Sequence, residues 1–218
     1  MDKGQKGLLS DAICIIAFVL LMLLTVQSHF NETRTGYQTN TGLFTAFFCL
    51  VPLLFRRGKV MTLPLVFVVM IEIAIFLHGY GVLKLQYDNL EWYDSVTHTI
   101  SSIVVGLCVF YALMTVDRAD DKVAFGKNGI ALFIVVIMMS FSVYWEVFEL
   151  IVDVLTGTNM QYSPFDTMRD MLSNFAGGLI VAIYVRWFLG RHPHYDVAEE
   201  FDLHPKLIGL AAHSNNVQ

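Results

Sequence analysis

Charge is scarce in this chain: 15% of its 218 residues are charged, against about 25% in a soluble domain. The shortage is uneven, because long apolar runs follow one another with only short polar stretches between them. That pattern excludes a water-soluble globule and a disordered chain. Positive charge is scarcer still, with 14 Lys and Arg against 19 Asp and Glu. No basic patch is available to follow a phosphate backbone, so nucleic acid is excluded as a partner. Cysteine occurs only as Cys14, Cys49 and Cys108, each inside an apolar run, where thiols pack as small hydrophobes and do not form the staples of a secreted module. Repeats, low-complexity segments and long linkers are lacking too. What remains is an all-α, polytopic integral membrane bundle.

A helix crossing the hydrocarbon layer needs roughly 20 apolar residues. Runs at 8–27, 41–55, 60–78, 94–116, 129–150 and 170–189 predict six transmembrane helices in one domain, 1–191, followed by a polar tail, 192–218. The run at 41–55 is short and ends in Pro52-Leu-Leu-Phe, so it reads as a tilted or thin span. Parity requires it, since without it the basic clusters would fall on opposite sides of the membrane. The first run is too long for a cleaved signal and no small-x-small site follows it, so it is expected to be retained.

With six spans, one side holds Lys3, Lys6, Arg56, Arg57, Lys59, Arg118, Lys122, Lys127, Arg186, Arg191 and Lys206. The other side holds Arg34, Lys84 and Arg169. Basic residues stay cytoplasmic. Both termini are therefore expected in the cytoplasm, with the chain in the cell membrane and three loops, 28–40, 79–93 and 156–165, facing outward.

The acids and histidines inside the spans carry the functional information. Asp94, His98 and Ser102 repeat at i, i+4, i+8; Glu146, Glu149 and Asp153 at i, i+3, i+7; Asp166, Asp170 and Asn174 at i, i+4, i+8. Each spacing places its residues on one stripe of a helix, and all three stripes lie at the outward ends of their spans. His78, at the outward end of another, is expected to close a fourth side. Lipid cannot solvate a carboxylate, so the stripes are expected to face one another around a shared pocket. Packed carboxylates repel, and a divalent cation relieves that repulsion. His78, Asp94, His98, Glu146, Glu149 and Asp170 are the candidate ligands for one ion or a close pair, with Zn, Mn, Fe and Mg all compatible.

Plainer readings cover part of the set. Asp94 and Asp166 sit where helix N-caps sit, and Asp153 can be a solvated helix end. They do not cover His98, Glu146, Asp170 and Asn174, a turn or more inside. Arg169 reads as an ion-pair partner of Asp166 or Asp153, or as an anchor for an anionic group. Ser101 and Ser102 read as packing contacts beside His98, and Gly106, Gly177 and Gly178 as points of close helix approach. Tyr93, Tyr144, Trp92 and Trp145 suit an interfacial aromatic belt. Glu72, two turns from His78 and pointing away from it, stands apart.

Tyr93-Asp94 with His98, Ser142-x-Tyr144-x-Glu146-x-x-Glu149, and Asp166-Thr167-x-x-Asp170-Met171-Leu172 together resemble the YjdF-like family of predicted inner-membrane proteins, over roughly residues 65–186. Where that family carries Arg after the Tyr-Asp pair and Gly before the histidine, this chain has Ser95 and Thr97. The resemblance implies an inner-membrane location and adds weight to the acidic cluster without naming a reaction.

Other signatures are missing. The chain has no His-Glu-x-x-His, no Gly-x-Ser-x-Gly, no multi-histidine set and no phosphate-binding glycine loop. The expectation is a divalent-metal-dependent hydrolase acting on a membrane lipid or lipid-linked substrate, with Glu149 or Asp166 taking the proton. The alternative is a proton- or cation-coupled transporter with the acidic cup as its outer vestibule; its weakness is that few polar residues continue through the inner half.

Overall fold

Helix ends in this chain are set by polar residues that hydropathy passes over. In the computed structural model, which describes residues 2–30, 36–119, 124–193, 195 and 201, the order is α1 (Lys3–His29), α2 (Gly36–Phe48), α3 (Val51–Arg57), α4 (Leu65–Leu83), α5 (Gln86–Asn89), α6 (Glu91–Ala119), α7 (Gly126–Thr156) and α8 (Pro164–Arg191). No strand occurs among the described residues. Six segments are long and apolar enough to cross a membrane: α1, α2 with α3, α4, α6, α7 and α8.

Several helices outrun their apolar runs because their caps are polar. Asp2 and Gln5 form a reciprocal capping box at the start of α1, Asp2 Oδ1 accepting from Gln5 N–H at 2.7 Å and Gln5 Oε1 from Asp2 N–H at 3.2 Å. Ser163 caps α8 by accepting from Asp166 N–H at 3.2 Å, and Pro164 sets the first turn. Gly157, left-handed at φ 69°, ends α7.

The short second run is the main difference from the sequence reading. It covers 36–57 rather than 41–55, because the polar stretch from Gly36 to Asn40 is already helical. It is also broken. Pro52 has no N–H and its ring displaces the carbonyl four residues back, so the chain interrupts its ladder at Cys49 and Leu50. There Cys49 N–H is shared between Thr45 O and Ala46 O, and Leu50 N–H turns to Phe47 O at 3.1 Å.

The helices fall into two compact units. The first comprises the described residues up to Tyr93, with Phe201; the second is Asp94–Tyr195. In the first, Ala17, Leu21, Ala46, Cys49 and Leu83 form the core. Gly79 lets α4 close on α1 and α2, since a Cβ there would lie 2.8 Å from Thr45 Oγ1 and 2.9 Å from Leu21 Cδ2. Buried Asp11 on α1 accepts from Arg56 Nε at 2.7 Å and Arg57 Nε at 2.9 Å, tying α3 to α1. Within 192–218, Phe201 is an apolar anchor. It is buried against Phe67, and its carbonyl accepts from Thr62 N–H at 2.9 Å. Most of that segment lies outside the described residues, as do Arg34, Lys122 and Lys206 of the charge count.

In the second unit Val109 and Phe110 of α6, Ile130, Ile134 and Met138 of α7, and Val181 and Val185 of α8 make one apolar core. Consecutive residues on a helix point about 100° apart, and α8 uses this at Gly177 and Gly178. A Cβ at Gly177 would lie 2.6 Å from Thr99 O of α6; one at Gly178 would lie 2.9 Å from Met138 Cβ of α7. Two adjacent glycines thus admit two neighbours.

Candidate functional site

The same close approach brings the three polar stripes of the second unit together above its apolar core. Asp94, His98 and Ser102 come from the N-terminal turns of α6, and Asp166, Asp170 and Asn174 from those of α8. Ser142, Glu146 and Glu149 come from the C-terminal part of α7. Ser102, Ser142, Glu146, Glu149, Asp166, Asp170 and Asn174 are all buried.

Three side chains form the tightest group. His98 Nε2 lies 3.2 Å from Asp94 Oδ1 and 3.9 Å from Asp170 Oδ1. Asp94, His98 and Asp170 each offer a ligand atom within 4.8 Å of the other two, and among the described residues they alone form such a set. Glu146 and Glu149 lie close enough to His98 to interact with its charge but fall outside it. So does His78, which the sequence placed in the ligand set. It belongs to the first unit, where its Nδ1 meets the Tyr87 hydroxyl at 3.0 Å. Depth along a span is legible in sequence; which unit a helix joins is not.

Beneath the triad lies a hydrogen-bonded layer centred on Asn174. Its Oδ1 accepts from Ser102 Oγ at 2.7 Å and faces His98 Nδ1 at 3.2 Å, and its Nδ2 donates to Ser142 Oγ at 2.9 Å. An amide oxygen can only accept, so His98 presents Nδ1–H to Asn174. That leaves Nε2 aimed at Asp94. An imidazole lone pair and a carboxylate oxygen at that distance repel unless a proton or a cation lies between them. Asp170 Oδ1, on a residue only 2% exposed, and Glu146 Oε1 are buried with no hydrogen-bond partner among the described residues. Buried polar atoms are normally satisfied. With the imidazole of His98 and the carboxylates of Asp94 and Asp170 so close together, these three residues have the chemistry of a donor set for a cation and fit one.

The remaining acids are already engaged. Glu149 Oε1 accepts from Trp145 Nε1 at 2.8 Å, which gives that ring a role besides an aromatic belt. Asp166 is paired with Arg169, one of the two partners the sequence offered that arginine. Asp153 turns its carboxylate to the connection after α7. It accepts from Thr158 Oγ1 at 2.8 Å, Met160 N–H at 2.7 Å and Gln161 N–H at 3.0 Å, folding the chain after α7 back on itself. Gln161 then donates Nε2–H to the carbonyl of Glu146 at 2.8 Å. Sequence reasoning gave no role to Ser142 and Gln161. Ser142 shares the α7 face one turn before Glu146 and could have been found by extending the stripe; Gln161 sits in a connection with no periodicity to follow.

No curated protein and no solved structure matches the chain. A family described as "Predicted membrane protein (DUF2238)" matches residues 12–191, which include every member of this cluster. In agreement with the YjdF-like motifs, the chain is a multi-pass membrane protein and belongs to that family.

Proposed function

We propose that the second unit holds a divalent cation between Asp94, His98 and Asp170 and hydrolyses a lipid or lipid-linked substrate at the outward surface of the cell membrane. One observation carries this reading: Asp94, His98 and Asp170 bring three ligand atoms within 4.8 Å of one another, and Asp170 Oδ1 is buried with no hydrogen-bond partner among the described residues. The mixed imidazole and carboxylate donors suit Zn, Mn, Fe or Mg. A divalent ion bound there would supply a water acidic enough to be deprotonated near neutral pH.

The side chains divide the remaining work. Asn174 orients the His98 ring and presents Nε2 to the ion, the role of an outer-shell partner. Glu146 Oε1 has no hydrogen-bond partner among the described residues, whereas each carboxylate expected as a base has one oxygen engaged, Glu149 Oε1 by Trp145 and Asp166 Oδ1 by Arg169. Glu146 is therefore the stronger candidate to accept the proton. Tyr144, Phe148, Phe165 and Leu172, all exposed, lie on α7 and α8 at the same end as the cluster and suit contact with acyl chains. Carriage through this unit, the alternative, is less favoured, because the level beyond Asn174 is filled by Ile134, Met138, Val181 and Val185.

Elemental analysis of detergent-purified protein tests the reading. Wild type and E146Q are expected to retain about one equivalent of metal per site, as this donor set implies. D170N is expected to lose it, and E146Q to lose hydrolysis of membrane lipids. Metal-free wild type whose melting temperature is unchanged by a chelator would overturn the proposal.

A further inference from the structure

The first unit contains a buried acid that the cation site does not use. Glu72 lies within the span of α4 and is 4% exposed; beside its carboxyl group are the thiols of Cys14 from α1 and Cys49 from the end of α2, both fully buried. Neither carboxyl oxygen completes a hydrogen bond among the described residues. A second feature meets it there. Cys49 is where the second span breaks, and the backbone N–H of Leu53, just past that break, lies near the sulfur of Cys14. Irregular backbone at membrane depth persists where it is enclosed by protein or lines a site, and interrupted helices mark ion sites in membrane carriers.

We propose that Glu72, flanked by Cys14 and Cys49 at this break, is an exchangeable proton-binding site of the first unit. Among the described residues, the charged groups on the neighbouring helices offer no countercharge. Asp11, one turn from Cys14, is itself an acid, and it occupies both Arg56 and Arg57. Ionised, Glu72 would be an unpaired charge removed from water. As the acid it needs one acceptor for its hydroxyl, and two sulfurs are at hand. A metal is less favoured, because Cys14, Cys49 and Glu72 do not bring three ligand atoms within 4.8 Å of one another.

Infrared spectroscopy of the full chain in lipid vesicles tests this without reference to the second unit. Wild type and D170N should both show the carbonyl band of an unionised carboxylic acid, lost in E72Q, shifted in the C14A/C49A double variant and shifted again on transfer to D2O. No band lost in E72Q would overturn the proposal. So would a band indifferent to D2O, which describes a sealed structural acid, and so would a thiolate charge-transfer absorption on adding Co2+ that disappears in C14A/C49A, which describes a metal site.

Discussion

Asn174 shows how much one side chain decides here. It bridges α6, α7 and α8 through Ser102, His98 and Ser142, so removing it leaves several buried polar groups unpaired. An unsatisfied buried group costs about 1–3 kcal/mol. N174A is therefore expected to lower the melting temperature in detergent by that order of stability, and adding S142A to recover part of the loss by deleting an orphaned hydroxyl. A thermal melt of both variants checks the sign. Glu149, Asp153 and Asp166 make the complementary point. Each carries the right chemistry at the right depth in the sequence, yet each is committed to a named neighbour, Trp145, the 158–161 segment or Arg169. Spacing revealed that these acids share a face with the cluster. It offered Arg169 as a partner for Asp166, but it could not reveal that Asp153 is claimed by the connection after α7, because that partner lies in a loop.

Between elements, the spacing of α6 and α8 is set by a missing side chain. A methyl group at Gly177 would fall 2.6 Å from Thr99 O and 2.7 Å from Ser102 Cβ, so the helices must part to admit it. Overpacking of this kind costs about 1–3 kcal/mol. G177A is expected to lose that much stability and also to weaken Mn2+ binding, since the hydrogen bonds from His98 and Ser102 to Asn174 cross the same gap; titration of bound Mn2+ by electron paramagnetic resonance separates the two effects. The segment after α7 rests on Asp153 alone for three hydrogen bonds. D153A should release it, so limited proteolysis within 157–163 is expected to quicken while the transmembrane helices stay protected. Unchanged cleavage would mean the segment is held by other contacts. Close helix approach at Gly177 and Gly178 was legible in the sequence, because glycine pairs in apolar helices have few other uses; that α6 is the partner at Gly177 was not. The fold-back was not, because it depends on which way a connection turns after a left-handed glycine.

For the whole molecule, six spans and the bias of Lys and Arg predict that both ends of the chain lie on the cytoplasmic side. Single cysteines in a background lacking the three native ones test this directly. T158C is expected to react with a membrane-impermeant thiol reagent applied to intact cells, and N128C only after the membrane is opened. The opposite labelling would invert the topology and place the cluster on the cytoplasmic face. Division into two compact units was not visible in the hydropathy pattern, which shows six similar runs and no linker. It depends on which apolar faces meet: Leu21 with Cys49 and Leu83 in one unit, Ile134 with Phe110 and Val185 in the other.

The amino-acid sequence alone determined that this is a six-span membrane protein and that three of its spans carry acids at one end. Both follow from local quantities, the apolar length a bilayer demands and the 3.6-residue repeat of a helix. Tertiary structure decided the rest: that Asp94, His98 and Asp170 form the tight set, that His78 belongs to the other unit, and that the second span breaks beside Glu72. These depend on which helix faces which, and that is set by small residues and buried hydrogen bonds acting between segments far apart in the chain.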